Sequence, residues 1–173
     1  MTIPNREQAL ALLHQYQSGK PERIAHSLAV ADLATAIGLK LNRNGAELDI
    51  ELIESAAILH DILKGQPNHD HAGGQLLKTL GYPEIAAIVE IHTRLGGRTP
   101  MPGEPISEAE VVYIADKSYR RTNRVTIEER YGIWRNTWKE NPERLASLTR
   151  GENRAKAVRD RIEDGLGMTL GEI

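Results

Sequence analysis

Along almost the whole chain apolar residues recur every three or four positions, and the strict alternation of a half-buried strand is nearly absent. A chain with that period buries stripes rather than sheet faces, so the fold class it allows is all-α, helices packed on helices. A first helix is expected over about 6–18, with Ala9, Leu12, Leu13 and Tyr16 inward, Gly19 closing it and Pro21 opening the next. The second, about 22–40, carries His26, Val30, Leu33 and Ile37 on one face. A turn at 42–45 leads to a third helix that starts at Asp49 and runs into the stretch 56–64, Ala-Ala-Ile-Leu-His-Asp-Ile-Leu-Lys. Residues 65–68 break it. The next helix is expected from about 68 to 81, with Leu76, Leu77 and Leu80 inward. Pro83 opens another, to about 95, in which Ile85, Ile88, Val89 and His92 share a face. The Gly- and Pro-rich stretch 96–105 is a long loop beside a candidate ligand, and reads as a lid or rim. Ser107 and Glu110 form a capping box for a helix bearing Val112, Ile114, Ala115, Asp116 and Tyr119. Helix resumes near 126 with Trp134 and Trp138 at i, i+4, and again after Pro142.

The 173 residues suffice for one core, and no repeat or linker divides them, so a single domain over 1–173 is expected. The net charge of -2 is spread in both signs and argues against nucleic acid as a partner. The N-terminus lacks the basic and apolar regions of a leader, and no segment reads as long and apolar enough to span a bilayer, so a cytoplasmic protein without a membrane partner is expected. There is no cysteine, so any metal has to be held by His, Asp or Glu.

Within this framework the stretch 56–64 is anomalous. It sets an imidazole, a carboxylate and an ammonium into a buried apolar run, and an ionised carboxylate in such a place needs a partner charge or a metal. Three other helices repeat the anomaly, each with one ligand-type residue on its apolar face: His26, His92 and Asp116. A single buried His is ordinarily a core histidine with one hydrogen bond, and a single Asp a cap or ion pair. Four on separate helices point to a metal site between them.

These motifs resemble the HD-domain superfamily of metal-dependent phosphohydrolases, whose pattern is a His, a His-Asp pair and a distal Asp on helices of one bundle. Here they are Arg23-Ile24-Ala25-His26-Ser27, the stretch 56–64, and Tyr113-Ile114-Ala115-Asp116-Lys117. The family's intermediate histidines look like His71, in His71-Ala72-Gly73-Gly74, and His92, in Ile91-His92-Thr93. The resemblance sets a motif core at about 21–124 and a C-terminal helical extension at about 125–173. It implies metal ligands His26, His60, Asp61, His71, His92 and Asp116, with Asp61 able to bridge two ions. Within the superfamily the chain is similar to small bacterial proteins of the YqeK type, which hydrolyse diadenosine tetraphosphate. A second His-Asp pair, His69-Asp70, lacks the preceding apolar helix. Asp70 suits the first turn of a helix there, and His69 is expected in solvent at a site edge.

The reading is a phosphohydrolase using one or two divalent ions, iron, manganese or a similar first-row ion, with magnesium admissible. Phosphomonoesters, phosphodiesters and dinucleoside polyphosphates are all open as substrates, and the expected ligand is a phosphorylated small molecule, a nucleotide foremost. Asp61 and Lys64 are the candidate catalytic residues. Lys64, one turn beyond His60, is the first choice for a phosphate contact, followed by Arg120, Arg121 and Thr93. Tyr131, Trp134 and Trp138 read as core or as a subunit contact, which would make a homodimer, rather than as a base-stacking platform. Two rivals stand beside this reading. One is a non-catalytic module that binds metal and nucleotide to signal; the other is a helical interaction domain whose polar core residues pair with each other.

Overall fold

Local sequence sets most helix starts. In the computed structural model, which describes residues 3–173, α1 (Arg6–Tyr16) begins at a capping box between Asn5 and Gln8. Pro21 occupies the first turn of α2 (Pro21–Arg43), where its missing N–H costs nothing. Asp49 caps α3 (Ile50–Leu59) by accepting from the Leu52 amide. Then follow α4 (His69–Thr79), α5 (Pro83–Ile91), a 3-10 turn (Leu95–Gly97) and α6 (Glu108–Lys117), the last opened by the expected Ser107–Glu110 capping box. A short antiparallel hairpin, β1 (Tyr119–Arg120) with β2 (Asn123–Arg124), leads to α7 (Ile127–Thr137) and α8 (Pro142–Leu166). The fold is all-α; among the described residues the named strands are confined to that two-stranded hairpin.

The centre of the bundle is α3. Ile53, Ala56, Ala57, Ile58 and Leu59 are all buried, and α3 packs on α1, α2, α5 and α6. Small residues let α2 and α4 come close to their neighbours. A side chain at Gly38 would meet Ile50 and Ile53, and one at Gly74 would meet Glu90 and the Ala86 carbonyl oxygen on α5. On the other side, α8 lays Ala155, Val158, Ile162 and Leu166 onto the body and packs against α6 and α2.

Several expectations are corrected. The third helix ends at Leu59 rather than continuing to Lys64; residues 60–64 form i→i+3 turns, with Ile62 N–H donating to Leu59 and Lys64 N–H to Asp61. Helix α5 ends at Ile91 rather than near 95. Leu80 is exposed, because it lies past the end of α4. By length and composition α2 is apolar enough to cross a bilayer, contrary to the sequence reading, but here its face of Val30, Leu33, Ala34, Ile37 and Leu41 is part of the core. The loop 96–105 is no free lid. Arg154 donates to the Gly97 carbonyl, and Arg161 donates to the carbonyls of Met101, Glu104 and Pro105, so two arginines of α8 hold it down.

Candidate metal centre

The ends of two helices build the centre. His60 is the C-cap residue of α3 and His92 that of α5, and each ring turns back to donate its Nδ1–H to a carbonyl three residues earlier, Ala57 and Val89, both at 2.7 Å. Those carbonyls belong to the last turn, where the i+4 amide is no longer in helical position; Val89 otherwise accepts only from the His92 amide, at 3.5 Å. One bond therefore caps the helix and orients the ring, leaving Nε2 as the atom that a metal would take in place of a proton. His26, on α2, is arranged likewise: its Nδ1 bonds the Arg121 carbonyl at 2.6 Å. Arg121 has a positive φ of 58°, the turn conformation that brings this carbonyl to the ring. The negative ends of α3 and α5 thus lie at the centre, which favours a cation.

Two carboxylates lie among these rings. Asp116 Oδ1 is 3.2 Å from His26 Nε2 and 3.7 Å from His60 Nε2, while its Oδ2 accepts from Lys117 at 2.9 Å. Asp61 divides its oxygens. Oδ2 is 3.5 Å from His60 and 4.0 Å from His26, and Oδ1 is 3.0 Å from His69 and 3.5 Å from His92. Lys64 Nζ is 3.1 Å from Asp61 Oδ2. Burial pushes both carboxyls up, and the adjoining cations and histidine donors more than reverse it, holding them well below the usual range. Burial also pulls down the His60 imidazolium, but Asp61 and Asp116 raise its pKa to about 10; His92, where burial prevails, is lowered.

These groups fit a metal. His26, His60 and Asp116, and again His60, Asp61 and His92, bring their donor atoms within 4.8 Å of one another. His60 is 0% exposed and its Nε2 has no hydrogen-bond partner among the described residues. A buried imidazole nitrogen left without a hydrogen bond between two ionised carboxylates is what a ligand set leaves when the ion is taken away. The donors are all nitrogen and oxygen, suited to first-row divalent ions.

The segment after α3 is held by two groups to which the sequence reading gave no role, Gln17 and the Arg23 that opens the His26 motif. Gln17, buried at the end of α1, donates to the carbonyls of Asp61, Ile62 and Lys64, and Arg23 donates to Gln17 and to the Lys64 carbonyl. Arg23 passes so close that a Cβ on residue 65 would lie 2.8 Å from its Nη1; with a φ of 103°, only glycine suits that position.

The structure brings together His26, His60, Asp61, Lys64, His92 and Asp116, and excludes His71. The His71 side chain is 71% exposed beside Glu90, whereas His69 reaches Asp61 and stacks edge-on with His92 at 5.5 Å. Residues two apart in a helix lie on opposite sides, so α4 can offer only one of them. Asn68, the left-handed N-cap, begins the helix in the register that turns His69 inward. Thr93 lines the cavity above the centre, but its hydroxyl donates to Asp70 at 2.6 Å. Arg120 belongs to a separate groove with Asn123 and Asn136, directed there by the hairpin. Arg121 borders a smaller cavity of about 310 Å³ on the His26 side.

A cavity of about 480 Å³ opens over His69, His92 and Asp116. Its cations are Lys64, Arg94, Lys117, Arg130, Arg144 and Arg154, and its far wall carries Trp134 and Trp138. None of residues 96–105 lines it, so the expected rim is absent. The last three arginines sit on α7 and α8, where the sequence shows only a mixed-charge helix surface.

The all-α bundle and its buried His/Asp cluster fit one class, the metal-dependent phosphohydrolase superfamily to which HD domains belong. The HD domain family matches residues 23–121, more than half of the chain, and the chain belongs to that family. It is also 31% identical over 137 residues to an uncharacterized protein of Methanocaldococcus jannaschii, covering 71% of this chain and 80% of that one. No solved structure matches the chain. Helices α7 and α8 lie beyond the family match.

Proposed function

We propose that this HD-family protein is a hydrolase of a phosphorylated small molecule, a nucleotide or another phosphate ester or anhydride. One observation carries the reading: imidazoles held with Nε2 free converge on two ionised, buried carboxylates at the floor of a cavity ringed by cations. When bound, a divalent ion supplies positive charge for the phosphoryl oxygens and acidifies the attacking water. The residues that would hold it are His26, His60, Asp61, His69, His92 and Asp116. Because the two Asp61 oxygens face different imidazoles, the donor set would serve one ion or two.

The chain's own groups supply the remaining chemistry. Lys64 reaches the cluster from an accessible position and neutralises a phosphoryl oxygen. Asp61, kept ionised, would hold the ion, and the attacking water gives up its proton to solvent as its oxygen bonds phosphorus. The P–O bond to the leaving group then breaks, and that oxygen recovers a proton. Lys117, buried against Asp116 and 4.9 Å from the Tyr113 ring centroid, keeps that carboxylate charged and oriented.

Elemental analysis of the purified protein, followed by hydrolysis assays on nucleotides and a generic phosphodiester with added manganese or iron, tests the reading. Bound metal and turnover are expected, with His60→Ala and Asp61→Ala each losing about 100-fold or more in rate. Turnover that survives both changes would place the chemistry elsewhere. Metal and nucleotide binding with no turnover on any substrate would make the protein a regulatory module instead.

A further inference from the structure

The chain contains two tryptophans, and both line the cavity over the metal centre, on the wall that α7 and α8 supply. Trp138 is 37% exposed and so is not a core residue. The Arg144 guanidinium lies over its ring at 4.0 Å, and that of Arg130 over Trp134 at 4.7 Å. Both rings therefore already serve as stacking surfaces for planar, delocalised groups. Tyr131 backs Trp134 edge-on at 4.9 Å, and it lies against α8 at Gly151, where a Cβ would be 3.1 Å from its hydroxyl. The wall is thus fixed rather than draped. Two of its arginines retain donor capacity: Nε of Arg130 and Nε of Arg154 are buried without a hydrogen-bond partner among the described residues. Buried donors of this kind call for an acceptor.

From these observations we infer that the α7–α8 wall is a nucleobase and polyphosphate subsite, in which Trp134 and Trp138 stack the base while Arg130, Arg144 and Arg154 hold phosphates beyond the one at the metal centre. The inference rests on the phosphohydrolase reading only for the direction of the reacting phosphate. It names the ligand class as a nucleoside polyphosphate rather than a bare phosphate chain. Flat aromatic faces supply affinity to any base, because every base has a π-face, whereas the arginines respond to phosphate alone. Selection is therefore expected for the presence of a base more than for its identity. Among residues 127–166, which the family match does not cover, these side chains would set what this protein accepts.

Because both tryptophans sit on this wall, intrinsic tryptophan emission reports on it directly. The test is titration of the full-length protein with ATP and, separately, with inorganic tripolyphosphate, followed by emission and by calorimetry. ATP is expected to quench emission and to bind about tenfold or more tightly than tripolyphosphate. Trp138→Ala should remove that ratio while leaving tripolyphosphate affinity unchanged, and Trp138→Phe should restore part of it. Arg144→Ala should weaken both ligands. Equal affinity for the two, or no quenching by ATP, overturns the inference, even if phosphate esters are hydrolysed. Quenching and preference without hydrolysis of any substrate would instead remove the catalytic reading and leave this one standing.

Discussion

His69 and His71 show how narrow the margin is at the scale of one residue. The sequence marks His71 as the ligand and His69 as a solvated residue, and the structure reverses them, because two positions along a helix reverse the direction of a side chain. His69→Ala is expected to lower the metal content and His71→Ala to leave it unchanged, as measured by elemental analysis after identical loading. Retention in the first and loss in the second would mean that α4 has a different register. Protonation gives a second expectation. With no ion bound, Asp61 and Asp116 outweigh burial and hold His60 protonated up to about pH 10, against an ordinary value of 6.5. Because that pKa is raised, the stability it contributes is fully present below pH 6.5 and is lost as pH rises through about 10. An ion has to displace the same proton. Metal affinity is therefore expected to rise about tenfold per pH unit between pH 6.5 and about 9, in competition with a chromogenic chelator at stepped pH. A flat profile would show that His60 carries no such proton.

Among the elements, the α4–α5 pair is what sets His69 against His92, and its close approach depends on Gly74. An alanine there would overlap the Glu90 side chain and press within 3.1 Å of the Ala86 carbonyl. Gly74→Ala is expected to cost about 1–3 kcal/mol in the denaturant midpoint, as overpacking does. Gly132 on α7 has open space around its missing Cβ, so Gly132→Ala should stabilise by about 0.5–1 kcal/mol through helix propensity alone. Opposite signs at two helical glycines would separate packing from propensity; the same sign at both would refute the packing argument. The capping boxes at Asn5, Ser107 and Thr126 are legible in sequence because each is a contact between residues three apart. The end of α3 is not. Nothing between Leu59 and Lys64 is a helix breaker, and the helix stops where the His60 ring, Gln17 and Arg23 take over the carbonyls that another turn would have used.

For the whole molecule, the metal centre joins α2, α3, α4, α5 and α6, so the ion is expected to act as a structural link as well as a reagent. Loading with manganese at about 100 times its dissociation constant should add about 2.7 kcal/mol, or roughly 5–10 °C in melting temperature for a chain of this size. A chelator should reverse it, and Asp61→Ala should abolish the shift. No change on loading would mean that the cluster is satisfied by its own ion pairs.

The sequence by itself determined the all-α class, most helix starts and the apolar faces, because these follow from a 3.6-residue period and from contacts within one turn. It also determined His26, His60, Asp61, His92 and Asp116, since ionisable residues on otherwise apolar stripes betray themselves by their cost. What only the tertiary structure decided lies where distant segments meet. It turned His69 rather than His71 toward Asp61, directed the Thr93 hydroxyl to Asp70, set Arg120 in a separate groove, and pinned the loop 96–105 to α8. It also turned Trp134 and Trp138 into a cavity wall. The i, i+4 spacing of the tryptophans marks a helix face without saying what it meets, and the role of these arginines and tryptophans depends on which surface the fold sets opposite them. That surface is the end of α3, at His60 and Asp61.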